Sequence, residues 1–204
     1  MSSSARSPAA RSAGKCASLV DNPHACDCRD RAELSDSAHA LWRAAASTGQ
    51  FIADLVRDGL YEDATTYLAH DLPPCHAVWW ACLAIWSRHR EAPDELLTRS
   101  LKAVIPWVQE PSEAHRCEAL RLTQRLDRTT SAFALAAAVA SSGGSMTEPP
   151  LPPVPPPPGL TGRFAGCVVR LAADGDEARY RQFLQFAAEI RATSTPWSLP
   201  RQPS

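Results

Sequence analysis

"VWWACLAIW", residues 78–86, is the most apolar run in the chain and carries three of its six tryptophans. A membrane anchor, a ligand platform and the middle of a core would each use such a run. The uninterrupted apolar stretch, residues 77–86, is ten residues long, whereas a membrane span needs about 20. His76 and "SRHR" bound it, and no cationic face opposes its apolar one, as a surface-bound helix would require. Val78, Trp79, Cys82, Ile85, Trp86 and His89 share one helical face, while Trp80, Leu83 and Ala84 fill much of the rest. A helix apolar nearly all round is buried on several sides. Trp79 and Trp86, seven apart on the inner stripe, are assigned to the core. Trp80, rotated to a flank, is expected to line a partner-binding groove with His76 beside it.

The flanking sequence is helical in pattern. Upstream, Phe51, Ile52, Leu55 and Val56 form one stripe, with Thr48 as N-cap and Gly59 as stop. Leu60, Ala64, Tyr67 and Leu68 form the next, which Pro73 and Pro74 end. Downstream, Leu97, Leu101, Val104, Ile105 and Val108 mark a helix that Pro106 is expected to kink or end. "PSEAHRCEALRLTQRL" and the alanine-rich "TTSAFALAAAVASSGG" follow, the latter closed by Gly143 and Gly144. "TEPPLPPVPPPPG", residues 147–159, then holds eight of the eighteen prolines and cannot be helical. Two amphipathic stripes come after it: Phe164, Cys167, Val168, Leu171, and Tyr180, Phe183, Leu184, Ala187, Ile190. Each must bury its stripe, so the proline run reads as a strap that returns the last two helices to the bundle, covering Trp80.

The expected fold is therefore all-α: an antiparallel helical bundle or short helical-repeat-like array, with a Pro-rich strap before the last two helices. The expected boundaries are a flexible tail at 1–36, a main helical domain at 37–145, the strap at 146–159, a C-terminal helix pair at 160–192 and an extended tail at 193–204.

Composition narrows the function. The chain has 204 residues, 45% hydrophobic and weighted to alanine, with only 7% aromatic, which favours closely packed helices. Twenty-one basic residues against twenty-two acidic ones leave no excess for nucleic acid or an anionic membrane surface. Seven cysteines without repeated spacing read as reduced thiols of a cytoplasmic protein. "MSSSARSPAARSAGK" lacks the apolar region of a secretory signal.

No motif announces a chemistry. Phosphate-binding loops, dinucleotide fingerprints, the nucleophile elbow and H-E-x-x-H are all absent, so no catalytic residue is assigned. Cys75 and His76 are neighbours on a helix and point about 100° apart, so they do not pair as nucleophile and base. "HACDC" offers His24, Cys26 and Cys28, with Cys16 upstream, as a zinc set. Its C-x-C spacing in an aperiodic segment reads as a chance cluster, and no metal or cofactor is expected. The strap contains P-x-x-P, which makes Pro153 and Pro156 candidate contacts for an aromatic-lined groove.

Three blocks together resemble a bacterial family of unknown function. They are "YLAHDLPPCHAVWWAC", which fits a [FY]-L-A-H-x-L-P-x-x-x-x-V-W-W-A-C pattern, "WVQEPSEAHR", which fits W-V-x-x-P-x-x-x-x-R, and the P-P-P-G-L of the strap. The likeness spans roughly Thr48 to Arg191. The family has no established activity, so the resemblance implies no catalytic residues. It implies a genomic association with accessory genes of type VI secretion, including those of PAAR-like tip proteins. The resulting expectation is a non-enzymatic, protein-binding accessory protein, an adaptor or chaperone-like component whose partner is a secretion effector or spike component. A structural or regulatory scaffold unrelated to secretion is the alternative, and a Cys/His metal protein or enzyme the third reading.

Overall fold

The computed structural model describes residues 23–92, 94–147 and 150–192. Among these there are ten helices and no strand, an all-α fold. They are α1 (Pro23–Ala32), α2 (Asp36–Ala44), α3 (Thr48–Arg57), α4 (Tyr61–Asp71) and α5 (Pro74–His89). After these come α6 (Glu95–Gln109), α7 (Glu113–Thr123), α8 (Ser131–Ala140), α9 (Leu160–Ala173) and α10 (Glu177–Ala192). No described helix is long and apolar enough to cross a membrane.

Local chemistry sets the helix ends. Ser35, Ser47, Asp94, Ser112 and Thr130 each accept the backbone N–H three residues on, closing the first turn of α2, α3, α6, α7 and α8. Such a cap is worth about 1 kcal/mol. The α3 cap is thus Ser47, one residue before the expected Thr48. Gly59, at φ 75°, stops α3 by turning its N–H back to the Val56 carbonyl. Pro106 neither ends nor breaks α6, which continues through the buried Trp107 and Val108 to Gln109. The missing N–H leaves the carbonyl of Lys102 without its helical donor, and Lys102 is exposed, where water can take that place.

The core is built around α5. Its largest interface is with α9, which also packs on α8 and α4 and so lies inside the bundle. α6 and α7 close the α8 side, α10 crosses α5 and α4, and α1 to α3 pack outward from α4. An aromatic knot of Trp42, Phe51 and Tyr67, with ring centroids 5.1–5.7 Å apart, joins α2, α3 and α4. Tyr61 stacks on Tyr180 at 5.9 Å and fixes α10 to α4.

Two glycines bring α9 down onto α4. A Cβ at Gly162 would lie 2.6 Å from the Ala69 carbonyl oxygen, and one at Gly166 would lie 3.1 Å from the Ala69 Cβ. On the other flank, α7 and α8 are tied by Arg116. Its side chain is 4% exposed, and the guanidinium forks onto Glu113 at 2.6 and 2.7 Å and donates to the Ala140 carbonyl at the end of α8. Arg116 is the arginine that closes the W-V-x-x-P-x-x-x-x-R block.

The N-terminal segment departs from the expected tail at 1–36. Residues 23–32 form α1, which buries Ala25, Cys28 and Ala32 against α4, and Leu34 is buried beyond it. The stripe consists of small side chains among Arg and Asp, so it carries almost no hydrophobic periodicity. Residues 1–22 and the expected tail at 193–204 lie outside the described residues.

The tryptophans of α5 also exchange places. Trp80 is fully buried and donates its indole N–H to the Phe183 carbonyl on α10 at 2.6 Å. Trp79 is half-buried at the edge of the core, and Trp86 is 56% exposed. We therefore expect Trp80→Ala to cost about 3–5 kcal/mol in chemical denaturation. Trp86→Ala should stay within about 0.5 kcal/mol of the parent. At the α4–α9 contact, Gly162→Ala should destabilise by about 1–3 kcal/mol through overpacking against backbone. Gly49→Ala in α3, where a Cβ meets nothing nearer than 4.0 Å, should be neutral or stabilising by up to about 1 kcal/mol.

Candidate functional site

The strap is held by very few donors, because proline has no N–H. From 150 to 159 only Leu151, Val154 and Gly159 carry one. Ser145 supplies the anchorage. Its hydroxyl accepts from the backbone N–H of Val154 and of Thr147, both at 3.1 Å, and lies 2.9 Å from the Thr147 carbonyl. Met146 N–H donates to the Val154 carbonyl at 2.8 Å, and the Thr147 hydroxyl donates to the Pro152 carbonyl at 2.6 Å. These bonds fix the backbone and leave the side chains outside. Leu151 is 63% and Val154 48% exposed, Pro153 is exposed, and Pro156 is half-buried.

The strap ends at Gly159, which enters α9 at φ 79°. A side chain there would press on Arg31 at 2.9 Å and on the His70 ring at 3.2 Å, so glycine is demanded by both conformation and space. Pro156, Gly159 and Thr161 thereby face His70, Asp71 and Pro73 across a shared cleft. The L-A-H-x-L-P block and the P-P-P-G-L block, some 80 residues apart in the chain, form the two walls of one junction. Burial, followed by the nearby Arg163 and Arg31 guanidinium groups, lowers the His70 imidazole to about 4. It is neutral at pH 7.

Beside this junction α1 meets the end of α4. His24 and Cys28, four apart on α1, share a face with their Nε2 and Sγ atoms 3.6 Å apart. The His24 Nε2 lies 3.7 Å from Asp71 Oδ1, and the three donor atoms are all within 4.8 Å of one another. Asp71 Oδ2 takes an ion pair from Arg191 on α10 at 3.3 Å. The Cys28 thiol donates to the His70 carbonyl at 3.2 Å, and burial, with Asp71 next, pushes it up to about 11.

The expected site residues thus separate. His24 and Cys28 come together, but Cys26 lies roughly 200° round the helix from each, and Cys16 is outside the described residues. Asp71 completes the cluster and was not among the sequence candidates, because nothing in a linear pattern pairs it with a helix more than 40 positions earlier. Trp80 cannot line a groove: α10 covers it, which the strap makes possible. His76 is half-buried, and desolvation lowers its pKa. Pro153 and Pro156 sit on one strap, the first outward and the second toward the cleft. Of the thiols, Cys82 is also buried and pushed up to about 12 by desolvation, so Cys28 and Cys82 are protonated and poor nucleophiles at neutral pH.

A histidine held neutral by the fold makes stability depend on pH. His70 falls from 6.5 to about 4 on folding, so between those values the unfolded chain binds the extra proton. Stability from this group is fully present above pH 6.5 and is lost as the pH falls toward 4. Urea unfolding at pH 7 and 4.5 should show about 2 kcal/mol more acid destabilisation in the parent than in His70→Asn.

No curated protein and no solved structure matches the chain. Residues 51–191 match a family of unknown function, DUF6931, over a span that contains the core helices, the strap and both walls of the junction. The chain belongs to the DUF6931 family.

Proposed function

We propose that the protein is a non-enzymatic helical accessory protein that binds another protein through the outer face of its proline strap. The observation that carries this reading is the way the strap is presented. Hydrogen bonds among Ser145, Met146, Thr147, Pro152 and Val154 fold the start of the strap on itself and fix its backbone, while Leu151, Pro153 and Val154 are exposed to solvent. Met146, Leu151 and Val154 make up half of the exposed large apolar side chains among the described residues. A proline-rich segment already fixed in place loses little entropy on docking, and P-x-x-P spacing suits a groove lined by aromatic rings. The partner is accordingly a protein with such a groove.

The resemblance to a bacterial family encoded near type VI secretion accessory genes supports an adaptor or chaperone-like role in the cytoplasm, with a secretion effector or a spike or PAAR-like component as partner. A scaffold role is the second reading. It is favoured by Trp86, Leu96 and Leu171, which are also exposed, the last two on one cleft where α6 begins and α9 ends.

Affinity capture from the native cell, followed by titration of the recovered protein with purified components, tests both readings. We expect a secretion component to bind the parent chain, and Leu151→Asp with Val154→Asp to weaken it at least tenfold. Both sites are exposed, so thermal stability should hold. Unchanged binding in that variant would remove the strap as the contact. Loss with Trp86→Asp instead, together with self-association of the parent in light scattering, would establish the scaffold reading.

A further inference from the structure

We propose that His24, Cys28 and Asp71 bind one divalent cation of the zinc class, which clamps α1 to the end of α4. This inference is independent of the strap and its partner. The geometry already approaches coordination. Tetrahedral zinc, with Zn–S about 2.3 Å and Zn–N and Zn–O about 2.0–2.2 Å, sets its S···N edge near 3.6 Å and its N···O edge near 3.4 Å. The Cys28–His24 separation is 3.6 Å and the His24–Asp71 separation 3.7 Å. The third edge lies within 4.8 Å, so closure needs only small side-chain rotations.

The donor set also selects the ion. One thiolate, one imidazole and one carboxylate suit zinc, whereas magnesium and calcium take oxygen ligands. His24 has 64% of its side chain exposed and gives the ion a route in, while the Asp71 side chain is 6% exposed. On binding, the cation replaces the Cys28 thiol proton, which passes to the buffer, and the thiol's bond to the His70 carbonyl is given up. The thiolate and carboxylate then balance the two positive charges of the ion itself, and the Arg191 charge beside Asp71 stays in reach of solvent. Arg191, paired with the far oxygen of Asp71, holds the carboxylate toward His24. Water takes the fourth position.

The test uses the reduced full-length chain and cobalt(II), which reports thiolate ligation by a charge-transfer absorption. We expect one cobalt per chain, the thiolate–cobalt band, displacement by zinc, and a thermal midpoint raised by zinc. Cys28→Ser should abolish the band, and Cys26→Ser should keep both band and affinity. His24→Ala, at an exposed position that leaves the fold intact, should weaken binding by more than the roughly 10–100-fold that losing an outer hydrogen-bond partner costs. Absence of the band in the parent, its survival in Cys28→Ser, its loss in Cys26→Ser, or unchanged affinity in His24→Ala would each overturn the proposal.

Discussion

The approach of α9 to α4 is the contact on which the rest of this structure depends. Gly162 and Gly166 let the helix backbone reach Ala69, and every larger side chain on that stripe would hold the two helices apart. With α9 seated, α5 is enclosed, α8 gains a partner for its buried alanines, and α10 can cross to cover Trp80. The strap is the covalent condition for this insertion. It carries the chain from the end of α8 to the start of α9 without forming a helix that would compete for the same space.

Trp80 and Arg116, taken inside by that packing, are matched, since an unpaired buried donor or charge costs far more than a paired one gains. The Trp80 indole meets a carbonyl of α10. Arg116 is held by Glu113 and closes the end of α8. His70 takes the other course and gives up its charge, because burial and two guanidinium groups all oppose the proton. The Trp80 bond joins helices distant in sequence and the Arg116 bond joins consecutive ones, so polar contacts help to specify which helices meet.

The junction of strap, α4 and α1 concentrates the groups with chemical character. Its walls lie within the span shared with the family, whereas His24 and Cys28 precede that span. The end of the strap, residues 156–159, therefore shares one cleft with His24 and Asp71 of the thiol–imidazole–carboxylate cluster, while His24 and Cys28 come from a part of the chain outside the family span.

Much of the architecture was legible in one dimension. Stripes at 3.6-residue spacing marked α3 to α6, α9 and α10, Gly59 marked the end of α3, and the density of proline made a non-helical strap between α8 and α9 unavoidable. Those features are local, set by backbone sterics and nearby hydrogen bonds. The faces of α5 were another matter. A helix apolar on every side has no preferred direction, so nothing within it says that Trp80 is enclosed and Trp86 exposed; α9 and α10 decide that by where they land. α1 escaped notice because alanine and cysteine bury well but contribute little periodic signal. Asp71 became a neighbour of His24 and Cys28 only through helix packing. The sequence by itself determined most of the helical segments, since helix formation is settled largely within a few residues. The tertiary structure alone decided which apolar surfaces are shared and which polar atoms meet, because those choices belong to partners that the chain brings together only on folding.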